Sequence, residues 1–314
     1  MRTPFRETER SAIQDNGEQE RLQKTVAFEE NETKDTDVRP DTSTETETPE
    51  KNVCKPDSEE RVVDDEGNAV NDNEQLPPNK SFRLNGIEYK TDDNGRVYSI
   101  DGKLLPDSEY QLNGTTYVTD SKGRIVREHD PKIQKTPDNV RDGAAQRQAG
   151  GADRRENDQG GHIVGRDLGG DPGSGNMVAM DGRINQSDYK RMENDIKAAV
   201  DEGKEVSTTT EITYSDDSER PDRIRVTVTI DGKETVYVFD NNLDGSLIDE
   251  VPDNGKETVK DVAEMTGGIV SSVKMEYDRE GNLERTTITI TYTNEDGENR
   301  RVYVKIDGQA QEGA

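Results

Sequence analysis

The sequence predicts an α+β protein built around antiparallel sheet, and three observations carry that reading. Short runs alternate apolar and polar residues, as at Ile224, Val226, Val228 and Ile230, the period of half-buried strands. Asn85-Gly86, Asn113-Gly114 and Asp231-Gly232 fall between such runs and supply the positive φ values that tight hairpins require. One segment, Ser187 to Asp201, instead places Tyr189, Met192, Ile196 and Ala199/Val200 on one helical face, with Gly203 just past its end, so it is expected as the main helix.

Taken in chain order, residues 1–80 read as a disordered acidic arm, because Asn31 to Lys51 is mostly Thr, Glu, Asp and Pro and has little to bury. From residue 82 a repeat begins. Leu84-Asn85-Gly86, Tyr89, Thr91-Asp92 and Gly95-Arg96-Val97 recur 28 positions later as Leu112-Asn113-Gly114, Tyr117, Thr119-Asp120 and Gly123-Arg124-Ile125. Residues 81–107 are therefore an extra β-hairpin unit ahead of a domain spanning 108–242. Asp92-Asp93-Asn94-Gly95 has turn chemistry and lacks the spaced acidic ligands of a calcium loop. Residues 131–161 show no periodicity and are expected as a long loop. His129, beside Asp130-Pro131, is read as a loop residue. After the helix, Ile224–Ile230 and Val236–Phe239 form a hairpin. Residues 255–310 then form a separable small α+β unit, with a short helix ending at Gly267-Gly268 and strands near 269–277, 285–293 and 301–306.

Composition narrows the function classes. Hydrophobic residues are 27% of the 314 and mean hydropathy is −1.12, so part of the chain cannot bury enough apolar surface to offset ordering entropy. A single cysteine, Cys54, excludes a disulfide framework and multi-cysteine zinc sites; it lies in the acidic arm, far from either histidine, which argues against a Cys–His nucleophile. No run is apolar enough to span a membrane. The start, Met1-Arg2-Thr3-Pro4-Phe5, lacks the apolar region of a Sec signal, so export is expected by another route, with a cytoplasmic protein as the alternative. The net charge of −27 opposes nucleic-acid binding only on average. Residues 1–80 hold 11 basic and 22 acidic side chains and residues 201–314 hold 13 and 27, but residues 81–200 hold 18 and 20. The near-neutral block contains Arg141, Arg147, Arg154, Arg155, Arg166, Arg183, Lys190 and Arg191.

That block also holds the candidate site: Gln159-Gly160-Gly161-His162, then Asn176, then Asn185 and Glu193 eight residues apart. Hydrolysis of a phosphodiester needs a base that titrates near working pH, for which histidine is suited. It also needs a hard cation at the phosphate, and magnesium takes oxygen ligands while keeping most of its waters. Eight residues at about 100° each bring Glu193 about 80° past two turns from Asn185. The glycines beside the histidine are expected to let a nucleic-acid backbone approach. No phosphate-binding loop competes, since Gly169–Gly175 lacks the required lysine.

Residues from about 108 to 241 resemble the DNA/RNA non-specific endonuclease family, within the ββα-metal (His-Me finger) nucleases, and in particular its branch found in secreted bacterial polymorphic toxins. Tyr117 through Arg124, Gln159 through Val164, Arg166, Leu168-Gly169-Gly170, Asn176-Met177-Val178, Ile184-Asn185, Tyr189 and Met192-Glu193 carry the resemblance. It implies a ββα-metal core with His162 as general base, Asn185 as ligand of Mg2+ or another divalent cation, and Glu193 orienting water on that ion. Gly161 and Asn176 would support the site. The wider family has arginine where this chain has Gly160, so the transition-state cation must come from elsewhere: Arg166 first, with Arg155 and Arg191 as alternatives. The implied partners are DNA and/or RNA as substrate and a cognate immunity protein, with no membrane partner. The competing reading is a non-catalytic acidic surface or interaction protein made of β-hairpin modules.

Overall fold

The computed structural model describes residues 64–68, 76–136, 141–215 and 217–308. Most of the expected acidic arm, with Cys54, and residues 309–314 lie outside these. The chain divides into two compact units.

The first unit ends at Leu112 and includes 119–123. Strands β1 (Ser81–Leu84), β2 (Ile87–Thr91), β3 (Val97–Ile100) and β4 (Lys103–Leu104) form an antiparallel sheet in that order. Its core is Leu76, Phe82, Leu84, Tyr89, Val97 and Leu105. β5 (Glu109–Leu112) also belongs to this unit. The 28-residue repeat is reproduced bond for bond. Thr91 Oγ1 donates to the Pro77 carbonyl at 2.6 Å, as Thr119 Oγ1 does to the Leu105 carbonyl at 2.6 Å. Asp92 Oδ1 accepts from the amides of Asn94 (2.9 Å) and Arg96 (2.8 Å). Twenty-eight positions earlier, Asp64 Oδ1 accepts from those of Glu66 (3.0 Å) and Asn68 (2.7 Å). A further copy of the turn, with Leu76 of the core, thus falls inside the span read as the acidic arm. An Asp-x-x-Gly turn needs no apolar periodicity, so composition could not reveal it.

The second unit comprises 113–118 and the residues from 124 onward. β6 (Thr115–Thr119), β7 (Ile125–Asp130), β10 (Val206–Thr213), β11 (Arg223–Ile230), β12 (Lys233–Asp240), β13 (Ile269–Tyr277), β14 (Leu283–Thr293) and β15 (Asn299–Asp307) follow one another across a sheet in the order β15-β14-β13-β12-β11-β10-β7-β6. β8 (Asp158–His162) and β9 (Met177–Asp181) form a separate antiparallel pair. The helices are α1 (Gly143–Gln148), α2 (Lys190–Asp201) and α3 (Asp253–Thr266). The buried stripe of α2 is Met192, Ile196 and Ala199, and just before it Tyr189 packs its ring 5.1 Å from that of Phe239 on β12.

Three expectations change. The C-terminal unit is not separable, because β13 pairs with β12 along Thr235–Phe239 and the two share a core through Val236, Val238, Val273 and Ile288. His129 lies on β7, with Nδ1 3.1 Å from the Thr208 carbonyl of β10. The loop over 131–161 contains α1, capped by Asp142 Oδ1 accepting from the amides of Ala144 (3.0 Å) and Ala145 (2.9 Å). Only Ala145 of α1 is buried, so the helix leaves no apolar stripe to read.

Candidate functional site

The site is assembled on β8, β9 and α2. In the β8–β9 pair, His162 stands opposite Met177 and Gln159 opposite Met180. β9 is buried along its whole length, and β8 is anchored at its start by a bidentate pair in which Arg220 donates to Asp158 at 2.7 and 3.0 Å. Both partners are buried. Arg220 also donates to the Asn241 carbonyl at 2.7 Å, so the charges are well satisfied. The loop between the strands is closed by Asn176, which is fully buried. Its Oδ1 accepts from the Val164 amide (2.9 Å), while Nδ2 donates to the carbonyls of Val164 (2.9 Å) and Asp171 (2.8 Å). The side chain imitates a strand partner and holds the chain just after His162.

Gly160 and Gly161 both line the cleft of the site, and the absence of a Cβ at each also serves the protein's own packing. A Cβ on Gly160 would lie 2.6 Å from Gln146 Cα of α1 and 2.7 Å from Met177 Sδ. One on Gly161 would lie 2.5 Å from Met180 Sδ. A side chain at Gly160 would therefore meet the backbone of α1.

The helix meets the site through a π-helical turn, Ile184–Tyr189, ahead of α2. A π turn bonds i to i+5, so the 100°-per-residue count from Asn185 to Glu193 does not apply; the turn sets their relation instead. Asn185 Nδ2 donates to Gln159 Oε1 at 2.8 Å, which leaves the amide oxygen as its acceptor on the cleft wall. Glu193 is half-buried; a Cβ on Gly165 would lie 2.7 Å from its Oε1. Burial pushes the Glu193 carboxyl up, opposed by Lys190, whose Nζ donates to it at 3.2 Å.

His162, Asn185, Glu193, Gly161 and Arg166 line one cleft of about 690 Å³; Asn176 does not line it. Desolvation, reinforced by the charges of Arg166 and Arg141 and opposed by the Pro172 carbonyl, lowers the His162 pKa to about 4. The ring is thus held neutral at physiological pH. Its Nε2 is buried without a hydrogen-bond partner. Six cationic side chains line the cleft, Arg141, Arg147, Arg154, Arg166, Lys190 and Lys197, against the carboxylates of Asp167 and Glu193. A strongly acidic chain therefore presents a cationic cleft.

The profile of the family described as DNA/RNA non-specific endonuclease matches residues 106–232. That span runs through β8, β9 and α2 and stops at the β11–β12 turn. Residues 106–232 are a DNA/RNA non-specific endonuclease domain. The chain is also similar to the type VII secretion system protein EssD of Staphylococcus aureus strains USA300, NCTC 8325 and Newman, at 33% identity over 105 residues in each. The similarity covers 32% of this chain and 17% of each relative, so the chain spans under a fifth of the length of these proteins.

Within the endonuclease domain, the two alternative arginines point elsewhere. Arg155 donates to Asn242 Oδ1 at 2.9 Å, and Arg191 to the Tyr303 hydroxyl at 2.7 Å. Arg154 is committed to the carbonyls of Gln146, Ala149 and Asp158. Sequence reading did not single out Gln159 as the partner of Asn185, nor Arg220, which lies 62 positions from Asp158. Neither carries a local signal. Among the described residues, no group of three or more His, Cys, Asp and Glu could cage a metal, and no helix is long and apolar enough to cross a membrane.

Proposed function

We propose that the domain is a divalent-cation-dependent, sequence-nonspecific endonuclease that hydrolyses phosphodiester bonds of DNA and/or RNA with His162 as general base. The observation that carries this reading is a neutral histidine in a cleft lined by six cations, beside an oriented asparagine and a half-buried glutamate. Cations draw in the polyanion. His162 takes a proton from water as its oxygen bonds to phosphorus; the bridging P–O bond on the far side breaks, and its electrons leave with the departing sugar oxygen.

The donor set fits magnesium. Asn185 offers one neutral oxygen and Glu193 one carboxylate, which suits an ion that keeps most of its own waters and does not suit zinc, which prefers several nitrogen or sulfur ligands. Asn185 would hold the ion directly and Glu193 through water. When bound, magnesium supplies positive charge at the phosphate and at the departing oxygen. Gln159 keeps the Asn185 amide turned for that role. Arg166 supplies the fixed charge beside His162 that the transition state needs.

The likeness to type VII secretion system proteins supports export by a non-Sec route; on this reading the protein is a secreted toxin, with a cognate immunity protein as its partner in the producing cell. The test is plasmid nicking by purified wild type and His162→Ala, with magnesium and with excess chelator. Wild-type nicking that requires the metal, lost in the variant, supports the reading. Equal nicking by both proteins, or full activity in chelator, overturns it.

A further inference from the structure

The turn that carries Asn185 is gripped from outside the family-matched span. Asp188 lies in this turn, three residues after Asn185 and five before Glu193, and is buried. Its Oδ2 accepts from Ser271 Oγ at 3.0 Å and Ser272 Oγ at 3.1 Å, both on β13. Adjacent residues of a regular strand face opposite ways. Here Val270 pairs with Ile290 and Ser272 with Thr289, so Ser271 is the extra residue of a β-bulge. The bulge turns both hydroxyls onto one carboxylate oxygen, and re-aiming side chains beside active sites is what bulges characteristically do. Arg191 and Arg301 stand 3.8 Å from Oδ1, and Arg191 is itself held by Tyr303 of β15, over whose ring it lies at 5.0 Å.

Burying a carboxylate is costly, and an apolar side chain would pack the turn at less expense. An acid held by two directed donors fixes what packing alone leaves loose, the rotation of the turn. We propose that Asp188, clamped by the Ser271–Ser272 bulge, is a positioning residue for the Asn185 metal ligand, which makes β13–β15 part of the endonuclease machinery. This rests on the function proposed above.

The test uses the full chain and compares wild type with Ser271→Ala/Ser272→Ala and Asp188→Ala. Half-saturating magnesium, the apparent Kd, is read twice, directly from plasmid nicking and by fitting the metal-induced rise in Tm, since a ligand of the native state stabilises it by RT ln(1 + [L]/Kd). Residues that orient metal ligands are worth about 10- to 100-fold in affinity. Half-saturating magnesium should therefore rise about tenfold or more in both readouts, with nicking recovering at high magnesium. Asp188→Ala removes the accepting oxygen, which asparagine would retain, and serves if the double variant does not fold. A lower metal-free Tm with unchanged half-saturating magnesium would make the clamp merely structural and overturn the proposal. A wild type that neither nicks nor gains stability from magnesium would instead sink the nuclease reading, and this inference with it.

Discussion

The hydroxyl of Tyr189 donates to the carbonyl of Ile163 at 2.6 Å, both groups being buried. One bond thus ties the π turn bearing Asn185 to the residue that follows His162. Tyr189→Phe keeps the ring against Phe239 and removes only that bond. It leaves a buried carbonyl unpaired, which costs about 1–3 kcal/mol. Thermal or urea unfolding should show a loss of that size, and nicking should slow by more than the unfolded fraction explains.

If His162 is the general base proposed, it should set the acid limb of activity. Its pKa is lowered to about 4, so the neutral base persists well below the ordinary histidine range of about 6.5. The pH profile of kcat/KM at saturating magnesium should lose activity only as pH falls towards 4. A limb at 6.5 would show that the cleft does not hold the ring neutral.

Gln159 is expected to matter through Asn185. Gln159→Leu removes the acceptor of the 2.8 Å bond and lets the amide rotate, so half-saturating magnesium should rise about tenfold. Asn185→Ala should be worse and Glu193→Ala milder, since water can replace a group acting through water. Magnesium titrations of the three variants check the order.

The cleft cations should appear in salt dependence. Each phosphate contact contributes about −0.9 to the slope of log K against log salt on duplex DNA. Arg141→Ala, Arg147→Ala and Lys197→Ala should each flatten the slope by up to about that amount, tested by binding to duplexes over a salt series in excess chelator. Unchanged slopes would place the substrate elsewhere.

Stability should follow two opposing titrations. Burial pushes Glu128, bonded to the hydroxyls of Thr208 and Thr210, up to about 7. The native state then holds a proton that the unfolded chain has released, so this stabilisation is complete below about 4.5 and is lost as pH rises through 7. His162 is lowered, so its contribution is present above about 6.5 and is lost as pH falls through 4. Over the shared window the two offset each other. Glu128→Gln should leave the histidine contribution unchanged and gain up to about 3 kcal/mol over wild type above pH 7. Urea unfolding from pH 4 to 8 measures both; a variant no more stable than wild type at pH 8 refutes the assignment.

Local signals made much of the architecture legible. Alternation marked β11, the helical stripe marked α2, and Asn-Gly and Asp-Gly pairs marked hairpin turns whose residues do take positive φ, as at Asn85 (52°), Asn113 (54°) and Asp231 (48°). The ordered string from Gln159 to Glu193 pointed to the family. α1 escaped because one buried alanine makes no periodicity, and the π turn because its spacing departs from 3.6 only locally.

The sequence by itself thus determined the α+β class, the endonuclease resemblance and the candidate residues, all of which depend on short spacings along the chain. Only the tertiary structure decided what surrounds them. It lowers the pKa of His162 by burial, leaves no room beside α1 for a side chain at Gly160, pairs Gln159 with Asn185, and clamps Asp188 with two serines 83 and 84 positions away. Desolvation and hydrogen-bond direction depend on which segments meet in space, and contacts between residues so far apart leave no period in a single sequence.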